Sequence, residues 1–304
     1  MILEFPPAFD LNYYRQAYPE LNYMSDDVLK EHHRRFAEEQ GRTCCIYDRP
    51  EGMKALMNNA VEQFPIKVLE IGPGDNPTVL PPKQDRGRVK YFEVFDAPEI
   101  ARRALEVNHR PFQNTPEKID YVSPTGDLSI IKETFDIVFS SHSIEHQMNL
   151  IKHLQAVERL LNDGGLFVLV IPDKRYCYDH FRQETTISTV LDRYFRNVEF
   201  RPFEDFIDVR MHVTHNNAIQ HWFGIHGNID DHFTHENFDK YCREYQKSRD
   251  ANEYIDAHSL RLTPRAFERI VNYVHQMGLT RLAMYRLCHT VWGRFEFSAV
   301  LKKV

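Results

Sequence analysis

The segment Val68-Leu69-Glu70-Ile71-Gly72-Pro73-Gly74-Asp75-Asn76-Pro77 decides the fold. An apolar run that ends in an acid and a glycine turn reads as a buried strand delivering a ligand site, because parallel α/β sheets bind ligands at the carboxyl ends of their strands. Gly72 and Gly74 let the backbone approach a ligand with no Cβ in the way. A dinucleotide fingerprint needs G-x-G-x-x-G, and Pro77 stands where the third glycine belongs. A pyrophosphate seated on a helix N-terminus is therefore not expected.

Outward from this strand, strands and helices alternate as a parallel sheet requires. A helix over Glu51 to Gln63 precedes it. Val89 to Val94 reads as the second strand, and Asp96 can cap a helix from Ala97 to Val107. Ile119 to Val122 and Phe135 to Ser141 read as the third and fourth strands. A helix follows over Ile144 to Leu161, then a turn at Asn162-Asp163-Gly164 and a fifth strand over Gly165 to Ile171. From about Tyr176 to Ala257 the pattern breaks into a histidine- and aromatic-rich insertion with no clear strand. Order returns at Thr263-Pro264, an N-cap followed by proline at N1, with the helix ending near Met277-Gly278. Two β-like runs, Leu279 to Leu287 and Arg294 to Val304, close the chain. Residues 1–50 form a helical preface, in which Ser25 can cap a helix to about Gln40 with Gly41 as its stop.

The chain has 304 residues and 42% hydrophobic content, enough for one large domain or one domain with an appendage. A formal net charge of -6 and the lack of any Lys/Arg run argue against nucleic acid as a partner. Five cysteines, including the adjacent Cys44 and Cys45, show neither a secreted disulfide framework nor C-x-x-C spacing, so a cytoplasmic location is expected. Met1 to Pro7 lacks the pattern of a secretion signal, and no run approaches the ~18 apolar residues of a membrane span.

Three stretches carry a resemblance: E-I-G-P-G at Glu70 to Gly74; F-D-I-V followed by E-H at Phe135 to His146; and L-N-D-G-G at Leu161 to Gly165. In this order and spacing they resemble the class I S-adenosylmethionine-dependent methyltransferases. The resemblance covers about residues 51–304, with 176–257 inserted as a substrate lid. It implies a Rossmann-like, seven-stranded, mostly parallel sheet with helices on both faces, and S-adenosyl-L-methionine as cofactor. E-I-G-P-x-x-N-P, S-H-x-I-E-H and Ile171-Pro172-Asp173-Lys174-Arg175-Tyr176 are similar, more narrowly, to bacterial methyltransferases associated with surface polysaccharides. Phe9-Asp10-Leu11-Asn12-Tyr13-Tyr14 with Tyr18-Pro19-Glu20-Leu21 also resembles a short module found beside glycan-assembly enzymes, which points to a glycan-assembly partner for the preface. Pro77, Pro81 and Pro82 depart from the family pattern, since they prevent the usual long first helix.

The resemblance places the cofactor against Glu70, Gly72, Pro73, Gly74 and Ser141. An acid at the end of strand two should accept both ribose hydroxyls, because a carboxylate offers two acceptors to a vicinal diol. Glu93 aligns with the family acid, whereas Asp96 is more simply a helix cap. Asp127 and Leu128 fit the positions that hold adenine, although Asp127 also suits an ordinary turn.

Methyl transfer from a sulfonium needs alignment and desolvation, and only the acceptor proton needs handling. An imidazole is suited to take that proton from a hydroxyl. His142, just beyond strand four, and His146, one turn later, are the first choices, although either can instead hold a loop. Asp173 is placed to orient a histidine or an acceptor hydroxyl. Lys174, Arg175, Tyr176 and His258 are candidate substrate contacts.

The insertion interleaves His180, His212, His215, His221, His226, His232 and His235 with Trp222, Phe223 and Phe233, a composition suited to a polyhydroxylated acceptor. The pairs His212/His215 and His232/His235, with Asp230 or Asp231, also allow a metal reading, but without a confirmed helix and acid no metal is expected. The function expected is O-methylation of a bacterial glycan or nucleotide sugar. The alternatives are N- or carboxyl-methylation of a small acidic metabolite through Lys174 and Arg175, and a non-catalytic cofactor-binding scaffold.

Overall fold

The computed structural model of the chain describes residues 9–45, 50–106, 116–232, 234–251 and 255–304. The expectations placed on Met1 to Pro7, Val107 and Phe233 lie outside these residues.

Among the described residues seven strands form one sheet: β1 (Val68–Ile71), β2 (Val89–Glu93), β3 (Tyr121–Val122), β4 (Phe135–Ser141), β5 (Leu161–Pro172), β6 (Leu282–Cys288) and β7 (Glu296–Lys303). Their order is β3-β2-β1-β4-β5-β7-β6. The first five pair in parallel, and β7 runs antiparallel to both β5 and β6. This is the class I methyltransferase sheet that the motifs implied. Every residue of β1 is buried, as expected for a central strand covered on both faces.

Helices α3 (Pro50–Gln63) and α4 (Ala97–Glu106) cover one face, where Met53, Met57 and Ile100 pack with Val68 and Phe139. On the other face α5 (Leu150–Leu160), α6 (Ile187–Phe195) and α10 (Pro264–Gln276) set Leu154, Val190 and Phe267 against Leu69 and Phe167. Strand order reverses between β1 and β4, so their carboxyl ends open a crevice, the usual ligand position in such sheets.

Strands and caps follow the sequence closely where local chemistry is strong. Thr263 Oγ1 accepts from the Ala266 amide at 3.2 Å, and Gly278 beyond α10 takes φ +71°. The helix expected over Ile144 to Leu161 is instead a short 3₁₀ turn, Ile144–His146, and then α5, because the Asn149 side chain accepts from Lys152 N and restarts the helix. Strand β5 begins at Leu161 rather than Gly165: the expected Asn162-Asp163-Gly164 turn is taken up as an irregularity where β4 and β5 change register, with Gly164 at φ +75°.

The insertion, in which the sequence shows no clear strand, is helical: α6, α7 (Phe203–Met211), α8 (Ala218–Trp222) and α9 (His235–Asp250). A buried network ties it to residues 255–262. Asp205, fully buried, accepts from Arg193 at 2.7 Å, Arg261 at 2.9 Å and Ser259 Oγ at 2.8 Å. Arg182, also fully buried, donates to Asp179, Asp208 and the His258 carbonyl.

In the preface, α1 (Leu11–Ala17) and α2 (Asp26–Gln40) pack around Tyr14 and Leu29. Gly41 takes φ +58°, and a Cβ there would lie 2.6 Å from Trp292 N. Its carbonyl accepts from that nitrogen, which docks the preface on the turn between β6 and β7. Among the described residues no helix is long and apolar enough to cross a membrane.

His153 on α5 sits against the Phe167 ring, and burial pushes its pKa down to about 4. A histidine held neutral in the fold but titrating near 6.5 when unfolded lowers stability as pH falls from about 6.5 toward 4, because the unfolded chain takes up the proton first. The full effect is on the order of 3 kcal/mol. His153→Leu is expected to shrink the stability loss between about pH 7 and pH 5 by about 2 kcal/mol in urea titrations; an unchanged pH slope would contradict this.

Candidate active site

The turn after β1 is held open by its own residues. Gly72 takes φ +72° and Gly74 φ +54°. A Cβ on Gly72 would press the Ser143 side chain at 3.2 Å, whereas one on Gly74 would project into open space that a ligand can use. Glu70, buried at the end of β1, accepts from the Thr78 and Val79 amides at 2.8 and 2.9 Å. It therefore pins the loop beyond the turn, and burial raises its pKa to about 7 despite those bonds. Asn58 bonds both Thr78 O and Leu80 N, and the Tyr91 hydroxyl donates to Val79 O. These ties replace the first helix that Pro77, Pro81 and Pro82 forbid.

A cavity of about 480 Å³ lies over the carboxyl ends of β1, β2 and β4, within the ~300–1,000 Å³ usual for small-molecule sites. Its wall includes Gly72, Gly74, Glu93, Phe95, Leu128 and His142. The Glu93 carboxylate is oriented by Val94 N at 2.8 Å and Gly74 N at 3.4 Å, and burial raises its pKa. Asp96 does not line the cavity; it caps α4 through Glu99 N at 3.0 Å. Of the two acids that compete in the sequence, Glu93 lines the cavity and Asp96 does not. Leu128 offers an apolar face, while both Asp127 oxygens accept from Ser129 and Asp127 is not in the wall.

A second cavity of about 440 Å³ adjoins the first, and Gly72, Asp75, His142 and His146 line both. Pro73, Ser141, Glu70, Glu145, Tyr178 and His258 complete much of its wall, with no Lys or Arg among the described residues that line it. His142 is a left-handed residue, φ +50°, a conformation uncommon outside glycine. Its amide donates to Val170 O, and its imidazole stands where the two cavities meet. Nδ1 lies 3.7 Å from Glu145 and Nε2 3.6 Å from Glu296. Burial lowers its pKa, but the nearby carboxylates of Glu296 and Glu145 outweigh that and leave it raised. His146 is driven well below the usual value by burial, then by His258 and Arg201.

Glu145 is 1% exposed, and neither of its carboxylate oxygens has a hydrogen-bond partner among the described residues. Burial raises its pKa against the charges of His258 and His142. His258 donates from Nδ1 to Asp179 (2.5 Å), and its Nε2 accepts from the Tyr178 hydroxyl (2.6 Å). Glu145 is the acid of the E-H motif, and nothing in its local sequence marks it as a site residue. Tyr178 and Asp179 gave no local signal either, since they meet His258 across about 80 residues.

The other expected substrate contacts are placed elsewhere. Asp173 is fully buried and bound by Arg175 and by the Thr290 hydroxyl, Lys174 donates to His180 O, and Tyr176 stacks on Trp222 at 3.9 Å. None of these lines either cavity. His212 bonds Asp208, His215 bonds Ile225 O, and His235 is exposed on α9 beside Asp239.

The seven-stranded sheet is that of a class I S-adenosylmethionine-dependent methyltransferase, with a cavity of about 480 Å³ over β1 and β2. The chain belongs to a family described as "Methyltransferase domain", whose model matches residues 28–246. Among solved structures, the CurJ carbon methyltransferase is 14% identical over 96% of this chain and 68% of its own, with a TM-score of 0.40. The CcbJ methyltransferase of Streptomyces caelestis is 14% identical over 84% of this chain and 96% of its own, TM-score 0.41. The trans-methyltransferase CalH, solved with SAH, is 12% identical over 83% of this chain, TM-score 0.37; the present chain spans about half of it, 55%. No curated protein matches the sequence.

Glu93→Ala is expected to weaken S-adenosylmethionine binding about 100-fold, the worth of two hydrogen bonds to a charged acceptor. Asp96→Ala is expected to leave affinity within about twofold, since a lost cap costs about 1 kcal/mol of helix stability. Calorimetric titration of both variants checks the assignment; equal losses would contradict it.

Proposed function

We propose that the chain methylates a hydroxyl of a polyhydroxylated acceptor, a bacterial glycan or nucleotide sugar, as an O-methyltransferase. The observation that carries this reading is His142 at the junction of the two cavities, one fitted to the cofactor and the other walled by neutral and acidic hydrogen-bonding groups. A wall with Glu70, Asp75 and Glu145 and no Lys or Arg favours hydroxyl-rich ligands over acidic ones. The narrower motif resemblance to polysaccharide-associated enzymes supports a sugar, a cytoplasmic reaction, and the preface as a docking module for a glycan-assembly partner.

S-adenosylmethionine, when bound, supplies an electrophilic methyl group on a sulfonium. Gly72, Gly74 and Glu93 hold it, and the second cavity orients the acceptor oxygen. The cofactor would supply the methyl group and leave as a neutral thioether, and His142 would take the proton of the acceptor hydroxyl. Glu296 and Glu145 stabilise the resulting imidazolium.

Incubation with methyl-labelled cofactor and a panel of sugars and nucleotide sugars tests this. Label in an alkali-stable ether on a sugar is expected. Label released by mild alkali would mark a carboxyl ester, and label on nitrogen an amine acceptor; either overturns the hydroxyl reading.

A further inference from the structure

Two groups of side chains converge as metal ligands do: Glu145, His146 and His258 beside the second cavity, and His180, His221 and His226 in the insertion. They differ in geometry. The His180 and His226 rings stack at 3.7 Å and 11°, so their in-plane lone pairs run side by side and do not meet at one ion. The first group is arranged otherwise. His146 and His258 both turn Nε2 toward Glu145 Oε1, at 3.8 and 3.7 Å. Such gaps exceed a hydrogen bond and come close to the ~3.4 Å edge of a tetrahedron with ~2.1 Å metal–ligand bonds.

The far nitrogens complete the pattern. Nδ1 of His258 meets Asp179 at 2.5 Å, and Nδ1 of His146 meets Asp256 at 3.3 Å. The Asp179 carboxylate bonded to Nδ1 fixes the His258 tautomer that leaves its Nε2 with a lone pair, as it does behind metal-bound histidines. The Tyr178 hydroxyl, 2.6 Å from His258 Nε2, donates to that lone pair and has to turn aside for an ion to bind there. Between the two imidazoles, Glu145 is a carboxylate at 1% exposure with no hydrogen bond to either oxygen among the described residues, a costly state that a cation relieves.

We infer that Glu145, His146 and His258 bind a divalent first-row transition ion beside the acceptor cavity. Two imidazoles and one carboxylate favour such an ion over Mg²⁺ or Ca²⁺, which prefer all-oxygen shells. Three protein ligands leave positions open, which acceptor hydroxyls can fill, aligning them next to His142 and acidifying the one that reacts. This departs from the expectation of no metal, and it rests on reading the second cavity as the acceptor site.

The test is titration of Co²⁺ into chelator-treated full-length protein, followed by visible absorption and calorimetry, with S-adenosylhomocysteine binding measured on the same samples. One saturable site with a ligand-field band is expected. Glu145→Gln and His146→Ala should each weaken Co²⁺ binding at least tenfold, Tyr178→Phe should not weaken it, and His226→Ala should leave it unchanged. Glu145→Gln, Tyr178→Phe and His226→Ala, none of them in the wall of the cofactor cavity, should keep S-adenosylhomocysteine affinity within about threefold. No saturable Co²⁺ site, binding that survives both ligand variants, or binding lost only in His226→Ala would overturn the inference. Failure of S-adenosylhomocysteine to bind the wild-type protein would instead strike the methyltransferase reading beneath it.

Discussion

His142→Ala lowers kcat by about 10²–10⁴-fold, the range that a positioned general base contributes, while S-adenosylmethionine affinity stays within about threefold. The effect is expected to fall on kcat because His142 lines both cavities and is the group placed to take a proton only as the new bond forms. Added imidazole should restore part of the rate in the alanine variant, since the vacated space opens on the acceptor cavity. A structural role would show differently: the left-handed backbone at His142 would relax, both cavities would loosen, and cofactor affinity would fall with the rate. Single-turnover kinetics with saturating cofactor separate the two. A rate within about threefold of wild type would place the base elsewhere.

Asp205→Ala destabilises the protein by about 3–5 kcal/mol, the usual cost of stranding buried charge. Asp205 is fully buried and neutralises Arg193 and Arg261, which are themselves almost wholly buried. Removing the carboxylate leaves two guanidinium groups without their counter-ion and takes an acceptor from Ser259 Oγ. Against a typical total of ~5–15 kcal/mol the loss is large. The insertion carries Tyr178 and Asp179 to His258 and holds the ring over the second cavity, so activity should fall at the temperature where the variant begins to unfold. Urea denaturation followed by tryptophan fluorescence reads this directly, because Trp222 lies in the insertion. A change below about 1 kcal/mol would mean that the insertion does not depend on this network.

The reach of the sequence differs between these sites for a physical reason. Strands such as Phe135–Ser141 and caps such as Thr263 are set by residues a few positions apart, and they are legible as patterns. So is the turn at Gly72 and Gly74, whose positive φ only glycine adopts cheaply. His142 and Glu93 follow from their places at strand ends. Asp173, Lys174, Arg175 and Tyr176 stand just as close to the end of β5, but Asp173 and Arg175 pair with each other, and the chain turns them away from both cavities. Long-range pairing also explains the insertion: its helices are fixed by buried Arg–Asp bonds to residues 255–262, which no local periodicity records. The gathering of Glu145, His146 and His258 depends on the same closure.

The most direct test of the central claim is calorimetric titration of S-adenosylmethionine and S-adenosylhomocysteine into the purified full-length chain. One site that binds both, with each ligand displacing the other, is the result predicted for a cofactor cavity over β1 and β2. Absence of binding by either ligand, under conditions where the chain is folded, would contradict it.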